Sequence, residues 1–381
     1  MLEEPLLMNR ALIFLVTGLL MGGTCSSSAD EPEFFILAPS RESQSLISVK
    51  ATPRGDELEL VEAAQFSLDF PATTITASGS APVFYITSNQ LIEGQPAAAF
   101  VDFRGSTSLQ TKVEITNFQV AHGYAYLSLD RENRFLLGAN YSEGFIDVYE
   151  LNESGYPTAM VSTLNEGRKN AHCVIPSPNN RFVYVPYVKD TNALYQYAFD
   201  GETGALTALD KLNAEPPANT GPRHLAYHPT LPLLYFSNEQ GVGVSAYEMA
   251  DDGQLSLKQV CEISDSTAPS EGVSASDIAI HPNGQFLFTG VRGPKHDYNW
   301  ISSYEILRDG SVKHLGLTPA DKIPWGLALS PQGDYLLASG FGSGTLMAYR
   351  VGPDGALTRA GTLNWDEKIS DLVTWPGFAA E

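Results

Sequence analysis

The sequence predicts an all-β chain, a seven-bladed β-propeller closed by a C-terminal strand that completes the first blade. Three features lead to that expectation. From about residue 120 a unit of apolar strand, Pro/Asn/Gly turn and second apolar strand recurs, with turns at residues 130–133, 177–180, 228–230, 281–284 and 330–333. Counted from Asp130, Pro178, Pro229, Pro282 and Pro331, the steps are 48, 51, 53 and 49 residues. A third strand follows each turn in register and ends on tyrosine, at Tyr149, Tyr197, Tyr247, Tyr304 and Tyr349. Fourth strands follow the turns Glu202-Thr203-Gly204, Asp251-Asp252-Gly253, Arg308-Asp309-Gly310 and Pro353-Asp354-Gly355. A β-sandwich has no such period, and a solenoid would need capping units that the chain lacks.

In chain order, the first 29 residues read as an export signal. The apolar run from Ala11 to Met21 is preceded by Arg10 and followed by Gly22, Gly23, Thr24, Cys25 and Ser26. It is about half the ~20 apolar residues of a spanning helix. Met8 makes a better start than Met1, because Glu3 and Glu4 are unusual before an inserting helix. Two processing routes are open. Cys25 stands where a bacterial lipoprotein carries its acylated cysteine, although Gly22 departs from the aliphatic residue such a signal prefers; Ser27-Ser28-Ala29 offers ordinary cleavage. Either way the protein is expected to be exported: periplasmic, extracellular, or lipid-anchored to the envelope through Cys25. The propeller is expected over residues 34–381, with weaker blade copies at roughly 34–66 and 74–116. The segment 369–375 supplies the inner strand of blade one, which removes the open sheet edges.

Composition narrows the partners. A net charge of −21 would repel phosphate backbones and anionic lipid, so neither nucleic acid nor a membrane surface is expected beyond an anchor at Cys25. Two cysteines remain after the leader, Cys173 and Cys261, expected as buried unpaired thiols. Metal-ligating clusters are absent from the sequence, no cofactor is expected, and the chain is expected to act as a monomer.

Within each blade the first two strands form a hairpin, so residues at the start of the first strand and just after the second share one open face. That set contains His122, Asn140, His172, Tyr187, Lys189, Arg223, Glu239, Ser276, Asp277, Arg292 and Trp325. His228 and His281 belong to turns on the opposite face. No Ser-His-Asp elbow is evident. One histidine, one glutamate and two arginines thus converge, and two guanidiniums at a channel mouth suit a carboxylate or a developing oxyanion. Taken singly, each of these residues is equally readable as part of a rim salt bridge.

Together, Ala171-His172-Cys173, Gly221-Pro222-Arg223-His224, Asn238-Glu239 and Val291-Arg292 resemble the seven-bladed propeller lactonase family, which includes bacterial 6-phosphogluconolactonases and fungal carboxy-cis,cis-muconate lactonizing enzymes. The resemblance covers roughly residues 120–360. It implies metal-free opening or closing of a lactone, with His172, Glu239, Arg223 and Arg292 as the catalytic group and a small-molecule lactone as partner. On the same face, His122, Asn140, Lys189 and Trp325 are expected to bind substrate. Replacing either arginine by alanine is expected nearly to abolish turnover and to leave the fold intact. There are departures. Blade seven carries Pro324-Trp325-Gly326 where the family commonly has Pro-Arg-Gly, and Gly340-Phe341 where it has a polar Asn-Gln. The lost arginine and gained aromatics point away from a phosphorylated sugar acid and toward a more apolar lactone. The alternatives are a propeller that only binds a ligand or protein on this face, and a Ca²⁺-dependent lactonase, which would need carboxylates on the axis where this chain offers cations.

Overall fold

The computed structural model describes residues 31–377 except 107 and 112, so the expected leader, with Cys25, lies outside the described residues. Seven four-stranded antiparallel sheets make the propeller. Six are built from four consecutive strands, and the seventh joins the last strand of the chain to the first three. Among the described residues no helix is long and apolar enough to cross a membrane.

Hydrophobic patterning explains the layout. The second strand of a blade lies between neighbouring blades and is buried on both faces, so it reads as an unbroken apolar run rather than an alternation. Val83–Thr87, Phe182–Tyr187 and Leu233–Asn238 are buried at every position. The outermost strands, such as Pro157–Leu164 and Leu206–Asn213, are buried only at their first residue and exposed or half-buried along the rest. Cys261 lies on an outer strand, Leu255–Glu262, and is therefore half-buried; Cys173 is buried, and both are free thiols. The expectation of two buried thiols thus holds for Cys173 alone.

Blades three to seven each lock onto the preceding blade through their last turn. At Gly310 the backbone has φ +81°, and a Cβ there would lie 1.9 Å from Leu233 of the preceding blade. At Gly253 (φ +84°) a Cβ would meet the ring of Phe182 at 2.3 Å. Only glycine allows both the left-handed turn and this approach. The same glycines accept hydrogen bonds across the seam, from Tyr235 to the Gly310 carbonyl at 3.0 Å and from Tyr184 to the Gly253 carbonyl at 2.7 Å. On the turn face, the His228 ring contacts the Gly284 carbonyl through Nε2 at 3.1 Å and accepts the Leu231 N–H at Nδ1.

The ring closes as expected. Phe34–Ser40 pairs with Val373–Pro376, matching Phe34 to Pro376 and Leu37 to Val373. Closure is interrupted at residues 370–371, with Ile369 forming a separate bridge to Ser40. From Ile369 to Val373 the tail takes four steps while its partner takes three, from Ser40 to Leu37. The closing segment is therefore not one continuous strand over 369–375. The extra residue is a β-bulge, which re-aims the side chains it carries.

Candidate active site

The same one-residue slip recurs in the inner strands of blades four to seven. Pro222–Tyr227 slips between Pro222 and Leu225, Ser274–Ile280 between Ala275 and Ile278, and Pro324–Leu329 between Pro324 and Leu327. In blade four, Ala171 pairs with Tyr187 and Ile175 with Tyr184, again one residue in excess. Each slip carries an adjacent pair of residues: His172-Cys173, Arg223-His224, Ser276-Asp277, Trp325-Gly326 and, from the tail, Ser370-Asp371. A regular strand would send the two members to opposite faces.

A cavity of about 290 Å³ lies against these bulges. His172, Arg223, His224, Trp325 and Asp371 line it from the inner strands, and Lys189, Glu239 and Arg292 from the ends of second strands. Glu239 is fixed by its backbone, its N–H donating to the Gly221 carbonyl at 2.7 Å and its carbonyl accepting from Ala275 at 3.1 Å. Its Oε2 accepts from Arg223 Nε at 3.1 Å and from Arg292 Nη2 at 3.3 Å, while Oε1 accepts from Gln240 at 3.0 Å. Arg223 is 1% exposed, and Glu239 and Arg292 are each 8% exposed. The carboxylate is thus clamped between two guanidiniums in a dry setting. Arg292 also donates to Ser274 Oγ at 3.1 Å and lies 4.2 Å over the Trp325 ring. Burial and the charge of Arg223 press the Arg292 pKa downward, although a guanidinium stays charged in proteins. Both arginines keep one buried terminal nitrogen, Nη1, without a hydrogen-bond acceptor. Such orphans are costly unless a ligand oxygen meets them.

The lining is locally cationic in an acidic protein. Arg41, Lys189, Arg223 and Arg292 face Glu239 and Asp371. Burial and the charge of Asp277 push the Asp371 pKa up to about 7, which weakens the negative side further. Electrostatically the site favours an anion or a polarised carbonyl oxygen.

His172 sits at the inner end of a short chain of rings. Its Nδ1 lies 3.2 Å from His224 Nε2, and His224 Nδ1 lies 2.7 Å from Asp277 Oδ1. Burial, then the charge of Arg223, holds His172 well below the usual imidazole pKa; the same two causes bring His224 down to about 4. Tyr141 meets the His172 ring edge-on at 5.4 Å, and Lys189 lies 5.4 Å over the Tyr141 ring.

Six of the eight site residues expected from the sequence line this cavity: His172, Glu239, Arg223, Arg292, Lys189 and Trp325. His122 and Asn140 do not. The His122 ring stacks on Phe145 at 4.0 Å, and its Nδ1 contacts the buried Asp147 carboxylate at 2.7 Å. Asn140 closes its own loop, donating to the Gly123 carbonyl at 2.7 Å and accepting from the Glu143 N–H at 2.8 Å. Both side chains find their partners within blade three, apart from this cavity.

Sequence reasoning passed over His224, Tyr141, Arg41, Asn89, Thr73 and Asp371, which also line the cavity. A signal existed for two of them. Arg41 and Asn89 follow the second strands of blades one and two, the slot that holds Lys189, Glu239 and Arg292 in later blades.

Comparison with known proteins agrees with this architecture. Residues 37–368 match the family model described as lactonase, 7-bladed beta-propeller. A 6-phosphogluconolactonase from an Enterobacter species is 30% identical over 243 residues, covering 62% of this chain and 70% of that protein. The 6-phosphogluconolactonase of Klebsiella pneumoniae is 31% identical over 243 residues, again covering 62% of this chain and 70% of that one. Among solved structures, a periplasmic gluconolactonase from Pseudomonas aeruginosa superposes with a TM-score of 0.80 at 18% identity, over 91% of this chain and 99% of that one, a likeness of fold.

Proposed function

The chain belongs to the seven-bladed β-propeller lactonase family, and on that premise we propose that it is an exported, metal-independent lactonase that hydrolyses a sugar or other carboxylic lactone. The observation that carries this reading is the Arg223–Glu239–Arg292 clamp beside His172 in one cavity. His172, held neutral, takes a proton from water as the water oxygen attacks the lactone carbonyl. The terminal nitrogens of Arg223 and Arg292 stabilise the oxyanion, and Glu239 keeps the two guanidiniums in place. When the ring C–O bond breaks, His172 returns its proton to the leaving oxygen, and a hydroxy acid results. A positioned base contributes about 10²–10⁴ in rate.

Trp325 packs on Phe341 with ring centroids 4.8 Å apart and gives the cavity an aromatic wall. That wall favours a lactone with an apolar face over a heavily charged one. Export rests on the leader-like residues 1–29, and lipid anchoring on Cys25.

The test is hydrolysis of a panel of sugar and aliphatic lactones by the purified protein, with and without chelator, beside Glu239→Ala. Chelator-resistant activity lost in the variant is the expected result. No turnover across the panel would replace the lactonase by a ligand-binding propeller, and chelator-sensitive turnover would overturn the metal independence.

The pH profile follows from His172. A base must be deprotonated to act, and the folded-state pKa of His172 is depressed by burial and by Arg223. Activity is therefore expected to persist at pH 6.5, the ordinary imidazole midpoint, and to fall only as pH drops through the lower value. A kcat/KM profile with its acid midpoint at 6.5 or above would exclude His172 as the base.

A further inference from the structure

We propose that Asp277 and His224 are positioning residues that fix His172 in the tautomer protonated at Nδ1, so that Nε2 carries the free lone pair that acts as base; the second half of this statement rests on the lactonase reading above. Neither residue is part of the Arg/Glu clamp, and Asp277 is not among the residues lining the cavity.

The hydrogen-bond chain starts at the Asp277 carboxylate. Asp277 accepts the backbone N–H of Ile278 at Oδ1, 2.8 Å, and that of Leu327 at Oδ2, 2.9 Å. Each oxygen is therefore already an acceptor. The third close neighbour, His224 Nδ1 at 2.7 Å from Oδ1, must be the donor, because an ionised carboxylate has no hydrogen to give. Burial pushes the Asp277 pKa up, but His224, the Leu327 N–H and the charge of Arg223 outweigh it and hold the carboxyl below its usual range. His224 then has its single proton on Nδ1, since burial and Arg223 disfavour a second. Its Nε2 can only accept. The contact at 3.2 Å is consequently a hydrogen bond donated by His172 Nδ1. That leaves His172 Nε2 as the unprotonated atom, and it makes no hydrogen bond among the described residues.

The order of the chain follows from the bulges. His172, His224 and Asp277 come from successive inner strands of blades four, five and six, as members of the pairs that the one-residue slips carry. Leu327 N–H, the second anchor of Asp277, comes from blade seven. His224 is further held edge-on against Tyr126 at 4.9 Å, so its ring has little freedom to turn. During turnover the relay keeps its own protons. Asp277 remains ionised and His224 stays protonated at Nδ1, while the water proton goes to His172 Nε2 and from there to the leaving oxygen.

The test is ¹⁵N NMR of the histidine-labelled full chain at neutral pH, with His172→Gln to assign the signal, beside kcat/KM for His224→Gln and His224→Phe. Wild type should show a protonated Nδ1 and a bare Nε2 on His172. His224→Phe, which removes the acceptor, should shift His172 toward the other tautomer and lower kcat/KM about 100-fold with KM nearly unchanged. His224→Gln offers a carbonyl in its place and should recover at least tenfold of that loss and the wild-type tautomer. A protonated Nε2 on wild-type His172 overturns the relay whether or not the variants fold. Equal losses in both variants with an unmoved His172 signal overturn it as well. The NMR arm needs no substrate, so an inactive lactone panel would count against the function and leave the relay to be decided on its own.

Discussion

Arg292→Ala is expected to lower kcat by about two to three orders of magnitude and to cost less folded stability than Arg223→Ala. Removing one preorganised oxyanion donor costs roughly 3–4 kcal/mol of transition-state stabilisation. The fold tolerates the loss, because Glu239 keeps its bond to Arg223 at 3.1 Å and its Gln240 partner at 3.0 Å. Arg223→Ala should behave differently. Arg223 is 1% exposed against 8% for Arg292, so beyond the guanidinium partner that Glu239 loses in either variant, its removal opens a more enclosed hole. Breaking a buried pair by removing one member costs about 3–5 kcal/mol. Sequence alone treats the two arginines as equivalent and harmless to remove; burial separates them. Steady-state kinetics combined with urea unfolding of both variants checks the claim. Equal unfolding midpoints for Arg223→Ala and wild type would refute the assigned buried clamp, and near-wild-type kcat in Arg292→Ala would refute its role on the oxyanion.

Ending the chain at Lys368 is expected to abolish cooperative folding. The deletion removes the strand that pairs with Phe34–Ser40 and leaves a row of unpaired backbone groups on an apolar edge whose residues are all buried in the closed ring. It also takes away Trp375, which packs edge-to-face on Phe84 at 5.6 Å, and Ile369 and Leu372 from the core at the seam of blades one and seven. Asp371 goes too, with the bonds it accepts from Thr74 Oγ at 2.7 Å and Ile75 N–H at 3.0 Å in blade two. The truncated protein should aggregate or melt without a sharp transition, followed by circular dichroism and light scattering. A monomeric product with a wild-type melting curve would contradict closure by the tail.

Much of this was legible because a propeller writes its geometry as a period. The turn prolines and the buried tyrosines at 149, 197, 247, 304 and 349 mark five blades directly, and the length left over accounts for two more. The hairpin rule then sorts His172, Arg223, Glu239 and Arg292 onto one face. What escaped was finer. His224 and Asp371 are second members of their bulge pairs, and an extra residue in a strand leaves no mark in a hydrophobic pattern of period two. The alternation simply shifts phase across a polar dipeptide, as it does at Arg223-His224. His122 lies apart from the cavity for a different reason. It stands at the right end of its strand, yet Asp147, a buried carboxylate also bonded by Tyr124 and Thr163 at 2.6 Å each, captures it from within the same blade. A capture by a residue 25 positions away is invisible to a reading by register.

The repeated slip separates scaffold from chemistry. Five of the seven inner strands carry such a dipeptide, and each except Ser276-Asp277 puts at least one residue into the cavity lining, while the paired residues on either side hold the sheets together. Exchanging a dipeptide between blades would then alter what the funnel recognises without changing a single ladder hydrogen bond of the frame. Trp325-Gly326 illustrates the point: a single side chain on one of these slips gives the ring an aromatic wall.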